Sequence, residues 1–507
     1  MIYTHEHVRG DMTLTADLCV IGSGAGGSPV ADAVAAAGKR VVVLESGSFL
    51  TARDFSQLEH EMFPRLYEES GARTTIDGAV HVHQGKGVGG STLHNLNLCK
   101  RLPAQVLTRW REQHGLSELT PERLDALYSW VEREISVSKV APENLNSGSS
   151  ALMRGCEALG WSGGTLQHNR LGCTGSGFCE IGCPFDAKQN ALKVFIARAV
   201  QAGAMVLADT TALSIEMEGR TARRVVAETR DPQSGALQGS ITVEAAAVCV
   251  SASATGTPAL LLRSHVPDPH ELIGSQLHLH PGAAVAGVFH DPQRGWSGVP
   301  QGYECTELLD FDDPDRRIWI VPAFAHPIGV SSILGASGAA HAAIMADYSR
   351  MTALSPVLHD DTSGTVRPKG RTGVAIDYWL EESDRDQLRR GLKACARLLF
   401  AAGAERVLVP LPTTLVLDHS SEIEAALSSI QIDRHVLDLT AVHPMSSVWM
   451  GDDPRSSCVT SGGRYHHLDN LFVADTSLYP SSIGVPPQLT AYALGRHVGE
   501  ALVEFLG

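Results

Sequence analysis

Residues 16–46 read ADLCVIGSGAGGSPVADAVAAAGKRVVVLES. Leu18 to Ile21 is a short apolar run with the character of a buried parallel strand. Gly22, Gly24 and Gly27 follow in the order G-x-G-x-x-G, and small residues from Gly26 to Ala37 predict a helix. Gly38 ends that helix, and Arg40 to Leu44 predicts a second strand closing on Glu45. Each glycine has a physical reason. Gly22 permits the tight turn, Gly24 lets a pyrophosphate approach the backbone, and Gly27 lets helix pack on strand. The helix N-terminus offers free N–H groups to phosphates. Glu45 stands where ribose hydroxyls are bound, and an acid there suits FAD or NAD and repels the 2′-phosphate of NADP. The strand before, the helix after and the acid at the expected distance raise this match above a chance occurrence among 49 glycines.

The chain of 507 residues is long enough for two or three domains' worth of core. Its net charge of −15 comes without blocks of like charge. That balance argues against nucleic acid as a partner and against docking on anionic lipid. Residues 1–15 are polar and lack the apolar core of a secretory signal, and no stretch is long enough to span a bilayer. The expected location is cytoplasmic, where the ten cysteines would be reduced thiols.

Outward from the fingerprint, residues 60–69 predict a short helix. Residues 83–103, HQGKGVGGSTLHNLNLCKRLP, carry four glycines at 85, 87, 89 and 90, followed by His94 and Asn95. Such a loop can press its backbone against a flat or anionic ligand. Residues 108–136 have helical spacing, with Thr120–Pro121 as an N-cap and first-turn signal. Residues 144–159 and 192–201 predict further helices. Cys173, Cys179 and Cys183 stand close together in LGCTGSGFCEIGCPFDAK. Their spacing fits no standard iron–sulfur or zinc pattern and a fourth thiolate is missing, so the reading is a glycine-rich structural loop without metal.

Residues 204–228 and 240–251 read as strands around a polar turn at 231–235. The last of them runs through AAAVCVSAS into ATGTPALLLRS, again strand, small-residue turn and helix. From about 271 to 430 the pattern changes. LHLHPGAAVAGVF and RRIWIVPAF alternate like antiparallel strands, and residues 384–402 form an amphipathic helix. His278, His280, His326, His341 and His359 lie in this insertion and are assigned no role. The C-terminal stretch has a short strand at 471–474, Asp475 after it, a Pro/Ser/Gly loop, and a helix from Thr490 onward. A helix returning there completes a dinucleotide fold whose segments are discontinuous in sequence.

These motifs, in this order, resemble the glucose–methanol–choline (GMC) flavin oxidoreductases over nearly the whole chain. GKGVGGSTLHN is similar to the family's first signature, SATGTPALLLRS to its second, HPMSSVWMG to its catalytic histidine segment and NLFVADTSLYPSSIGVPPQLT to its closing motif. The resemblance implies an α/β fold: a discontinuous Rossmann-like FAD-binding domain with an inserted, mainly antiparallel-sheet substrate or lid domain. The expected divisions are 12–110, 165–268 and 440–507 for FAD, 111–164 for a helical cap, and 269–439 for substrate. It implies FAD as cofactor, with Gly22, Gly24, Gly27 and Glu45 on the ADP half and Gly89, Gly90, Ser91 and Asn95 along the isoalloxazine and ribityl chain. Asp475 would lie at the pyrophosphate or ribityl region, and the closing motif adds Gln488 and Thr490.

Similar enzymes oxidise a CH–OH group of a small-molecule substrate by hydride transfer to flavin N5, and His443 matches the histidine that removes or shares the hydroxyl proton. Hydride leaves an alkoxide-like carbon more readily than a neutral alcohol, so such a base is worth about 10²–10⁴ in rate. Some relatives carry a histidine at the position of His94 linked to the flavin 8α-methyl; the resemblance leaves covalent attachment and simple packing both open. The electron acceptor (oxygen, quinone or protein) also stays open. One departure stands out. The family's closing motif reads G-V-N-P, with Asn or His as second catalytic group, and here it is Gly484-Val485-Pro486-Pro487. Pro486 offers no donor or acceptor side chain and no N–H. A flavin-containing lyase, isomerase or C–C dehydrogenase is therefore the alternative. A redox partner built on the cysteine loop is a weaker one.

Overall fold

A computed structural model describes residues 1–323 and 326–507. The apolar run before the glycines is the end of a longer strand, β1 (Met12–Ile21), and the small-residue helix is α1 (Gly27–Ala36). β2 (Val41–Leu44) lies parallel to β1 with Ile21 opposite Leu44, which brings Glu45 beside the turn after β1. A short strand, β3 (Val80–Val82), follows, and next come helices Ala104–His114 and Pro121–Glu134. The predicted helical stretch is thus two helices. Gly115, at φ 68°, ends the first, and the Thr120 hydroxyl caps the second by accepting from the Arg123 N–H.

The stretch read as strand from 204 onward is divided by two left-handed residues, Asp209 at φ 55° and Gly219 at φ 60°. The result is β4 (Met205–Leu207), β5 (Thr210–Glu218) and β6 (Thr221–Arg230), followed by β7 (Leu237–Val250). The helix expected over 192–201 forms with its first five residues wound as a π turn. β7 leads into α2 (Ser253–Arg263).

The next part supplies β8 (Pro281–Gly282), β9 (Val285–Val288), β10 (Ile318–Ala323) and β11 (Met351–Leu358). Phe324, the last residue of the alternating run read there, lies outside the described residues. The amphipathic helix is α3 (Glu382–Ala401), then β12 (Arg406–Val409) and β13 (Leu439–Ala441). β14 (Leu471–Val473) and α4 (Gln488–Leu506) finish the chain.

Two sheets organise these elements. The first runs β4-β2-β1-β7-β6-β5, parallel from β4 to β7 and antiparallel beyond, with β14 parallel to the end of β7. Its central strands are near-continuous apolar runs because helices cover them, and α1 packs against α4. The architecture is the Rossmann-like α/β fold expected. The second sheet runs β12-β9-β11-β8-β13-β3, antiparallel except for β13 on β3, with β10 on the other edge of β11. Leu388, Leu392 and Leu399 of α3 pack in one cluster with Leu354, Val407 and Leu439 of this sheet. Strands from 80–82 and 163–165 join the second sheet, so both sheets draw on separated stretches of chain. Among the described residues no helix is long and apolar enough to cross a membrane.

Candidate active site

Three glycines in and beside the fingerprint are crowded by backbone. A Cβ on Gly22 would lie 2.1 Å from the Ser251 carbonyl oxygen, one on Gly26 1.7 Å from that of Ala474, and one on Gly27 2.2 Å from that of Gly22. Gly24 differs: among the described residues only the Cα of Gly90 would come within 4 Å of a Cβ there, at 3.8 Å. The first signature loop thus faces the fingerprint glycine-to-glycine, with Gly89 and Gly90 at φ 112° and 57°. No side chain caps the N-terminus of α1.

Glu45 is buried between the two loops. Its carboxylate accepts from the Ser23 N–H (3.1 Å) and hydroxyl (2.7 Å), and from the N–H groups of Gly47 (2.9 Å) and Gly87 (3.3 Å). Burial raises its pKa and these donors oppose that. Ser23, which the sequence did not single out, also accepts from the Gly89 N–H at 2.9 Å.

Asp475 plays the corresponding part at the other end of the site. It caps its own turn through the Ser477 N–H (2.7 Å) and accepts from the Ser253 N–H (3.0 Å) and the Thr257 hydroxyl (2.5 Å). That joins the closing motif to the start of α2, which belongs to the second signature. Burial raises its pKa against the pull of those donors.

Ser91 accepts from the Gly85 N–H at 2.9 Å. His94 is buried with its ring against Tyr67, centroids 4.0 Å apart, and its Nε2 has no hydrogen-bond partner among the described residues. Burial, aided by Lys188 and His83, holds its pKa well below the usual value. The Asn95 amide donates to Gln488 Oε1, and Asn95 Oδ1 is buried without a partner among the described residues. The Gln488 amide in turn donates to Leu98 O and Asn169 Oδ1, and the Thr490 hydroxyl pairs with Tyr128 at 2.8 Å. Both side chains are engaged by protein, and they fasten the start of α4 to residues 95–99 and to helix Pro121–Glu134.

Lys188 is a buried cation that the sequence reading passed over. Its ammonium donates to the carbonyls of Leu93 (3.0 Å), Asn95 (2.5 Å) and Cys179 (2.9 Å), pinning the signature loop to the cysteine loop. Burial pulls its pKa down to about 8, against Cys179, Cys183 and Glu180. Cys173 is exposed, and Cys179 Sγ accepts from Asn97 at 3.7 Å. Among the described residues no group of three His, Cys, Asp or Glu side chains is arranged to hold a metal ion.

His443 follows β13, and His280 precedes β8. The register sets Pro281 opposite Ala441, so the two rings meet: Nδ1 to Nδ1 is 3.2 Å, with the rings at 88°. Burial pushes the His443 pKa down to about 4. Around the pair, Asp360 accepts from the Leu279 N–H, the Tyr378 hydroxyl and the Ser482 hydroxyl, and His359 Nε2 donates to the Ser482 carbonyl at 3.2 Å. Burial pushes Asp360 up, but His278 and the Leu279 N–H it accepts from help outweigh it, and its pKa is lowered. His280, His278 and His359, assigned no role from the sequence, thus lie around His443. His466 bonds to the Gly451 carbonyl and Ser457, and His467 sits by Tyr465, so neither stands in for the side chain missing at Pro486.

An apolar pocket opens on the face of the second sheet away from α3, lined by Ala284, Ala286, Ile333, Leu334, Ala353 and Leu408. Gly282, on this face by alternation from Ala284 and Ala286, pairs with Thr440, three residues before His443. Val442 between them is 49% exposed, a large share for an apolar side chain beside buried strands.

Comparison with known proteins bears on what such a site belongs to. Residues 63–282 match the N-terminal GMC oxidoreductase family model and residues 361–495 the C-terminal one. An uncharacterized GMC-type oxidoreductase of Mycobacterium tuberculosis is 32% identical over 98% of this chain and 79% of its own length. A long-chain-alcohol oxidase of Arabidopsis thaliana is 28% identical over 98% of this chain and 69% of its own. Among solved structures, pyridoxine 4-oxidase from Mesorbium loti covers 96% of this chain and 98% of its own with a TM-score of 0.73, at 18% identity, a likeness of fold. Two family models matched in order, and a relative 32% identical over nearly the whole chain, lead to one conclusion: the chain belongs to the GMC oxidoreductases.

Proposed function

We propose that this protein is an FAD-dependent enzyme that oxidises the CH–OH group of an alcohol with an apolar chain, with His443 as the base that takes or shares the hydroxyl proton. The observation that carries the reading is a run of small residues on one sheet face, from the pocket at Ala286 and Ala284 to Gly282, whose strand partner Thr440 lies three residues before His443. At about 3.3 Å per strand residue, the six positions from Ala286 to His280 measure about 20 Å. That length suits an extended aliphatic chain. The relative named a long-chain-alcohol oxidase supports the same substrate class.

The residues present fit FAD. The open side of Gly24, the uncapped start of α1 and the facing glycines 89 and 90 suit a diphosphate and a flat ring. Glu45 stands at the end of β2 for the ribose. Ser91 and Asn95 lie on the loop read as running along the ring. Asp475 lies beside Gly26, and Gln488 and Thr490 act by holding that loop and the start of α4 in place. FAD, when bound, supplies the hydride acceptor. His443, kept neutral by burial, has its Nδ1 against His280 and leaves Nε2 as the ring nitrogen that can face the hydroxyl. The buried Nε2 of His94, without a partner among the described residues, supports covalent attachment of the flavin there. On acid precipitation the flavin is then expected to pellet with the protein and to be released in His94→Ala; flavin left in the wild-type supernatant rejects the link. The division into FAD-binding and substrate parts belongs to this proposal, supported by the separate apolar clusters of the two sheets; the segment expected as a cap is shared between them, Leu124 and Tyr128 in one and Ala151 and Leu152 in the other.

The testing experiment is anaerobic bleaching of the flavin's visible absorption by long-chain primary alcohols, sugars and sterols in turn. Bleaching by the long-chain alcohols is expected. No bleaching by any alcohol, in protein that dithionite still reduces, would reject the reading. Pro486 favours a second reading, a flavin-containing lyase, isomerase or C–C dehydrogenase, and that outcome would support it.

A further inference from the structure

His280 has two ring contacts, and one of them is with a group that can only donate. The backbone N–H of Gly484 points at His280 Nε2 at 3.0 Å. A backbone N–H never accepts, so Nε2 must be the bare nitrogen of a neutral ring. The proton is then on Nδ1, which lies 3.2 Å from His443 Nδ1. His280 donates and His443 accepts. With its own Nδ1 accepting, neutral His443 carries its proton on Nε2.

We propose that His280 is a positioning residue that holds neutral His443 in the Nε2–H form, so that the resting site presents a hydrogen-bond donor to the substrate oxygen. The consequence for the substrate rests on the reading of His443 given above. Accepting a hydroxyl proton at Nε2 requires the ring's own proton to sit on Nδ1. That reverses the bond between the rings and moves the His280 proton to Nε2, against the Gly484 N–H. In the neutral pair, base action by His443 and the Gly484 contact are mutually exclusive.

Three independent features support the arrangement. Gly484 is held in place: its φ is 67°, and a Cβ there would meet Phe311 and His359 at 2.7 and 2.9 Å. His280 itself has a left-handed backbone, φ 52°, which costs about 1 kcal/mol in a residue other than glycine and aims the ring between the two partners. Finally, Asp360 does not orient this ring. Its oxygens accept from the N–H of Leu279 and His280 and the hydroxyls of Tyr378 and Ser482. The amide of Gly484 therefore takes the orienting part that a carboxylate plays in many catalytic histidine pairs.

The test is ¹⁵N NMR of the histidine-labelled holoenzyme near neutral pH, with the His443 signals assigned from a His443→Gln sample. Wild type is expected to show His443 protonated on Nε2 and bare on Nδ1. In His280→Leu the Nδ1 donor is gone, and the His443 signals are expected to shift toward a tautomer mixture. His280→Gln, whose carboxamide has both an N–H and a C=O, is expected to restore the single Nε2–H form. A wild-type His443 protonated on Nδ1, or signals unmoved by His280→Leu, would overturn the proposal. Should the leucine variant not fold, the wild-type and glutamine spectra decide alone. The readout needs no turnover. A failed bleaching assay leaves the tautomer result standing, and a wrong tautomer leaves the bleaching result standing.

Discussion

At the scale of the residue, His443 shows how strongly surroundings set chemistry. An imidazole in water titrates near pH 6.5, whereas burial beside His280 brings this one down to about 4. The sign follows directly. The neutral ring is the competent form and protonation removes it, so the acid limb of kcat/KM assigned to His443 is expected near pH 4, with a flat profile above about pH 5. A limb near 6.5 in the pH profile would contradict this. His443→Ala is expected to lower turnover by about 10²–10⁴ while leaving flavin bound, and steady-state kinetics with absorption spectra check both halves. Lys188 makes the complementary point. One ammonium satisfies three buried carbonyls from two loops, which no pattern of neighbours in the sequence announces.

At the scale of the element, the site depends on close backbone approach. α1 and α4 touch through glycines: a Cβ on Gly495 would lie 2.3 Å from the Gly26 carbonyl oxygen, and one on Gly499 3.0 Å from the Ala33 Cβ. Gly26 is itself pressed on Ala474, at the end of β14. Gly495→Ala is therefore expected to push α4 off the fingerprint turn and cost about 1–3 kcal/mol. Urea unfolding measures that loss, and a variant as stable as wild type would mean the helices separate freely. The same α4 begins with Gln488, so its displacement is also expected to loosen Asn95.

For the whole molecule, the two sheets cannot be separated by cutting the chain once. The path runs from the first sheet to the second at β3, returns for β4 to β7, crosses again for β8 to β13 and comes back at β14. Unfolding either sheet releases strands tethered to the other. Urea unfolding is expected as a single transition, with tryptophan fluorescence and far-UV circular dichroism coinciding. Trp110 reports on one cluster and Trp379 on the other, so two separated transitions would show independent units.

The G-x-G-x-x-G turn, its flanking strands and α1 were legible in the sequence because their causes are local: apolar runs, glycines where a Cβ cannot fit, an acid one residue past a strand. The same holds for the Thr120 cap and for His443, which sits in a recognisable segment. Local reasoning ran out where partners are far apart in the chain. The Asp209 and Gly219 turns divided a stretch that β propensity alone joined. Lys188 reaches carbonyls up to 95 residues away. His280 was one of several histidines in an insertion without a motif, and the register of Pro281 against Ala441 brings it to His443 across 163 residues. Sequence by itself determined the family, the α/β class and the glycine cradle, since steric fit and strand character are properties of short segments. Tertiary structure alone decided which histidine meets His443 and which of its nitrogens carries the proton. Hydrogen-bond direction is set by the atoms brought into contact, here at 3.0 and 3.2 Å, and strand pairing brings the two rings together.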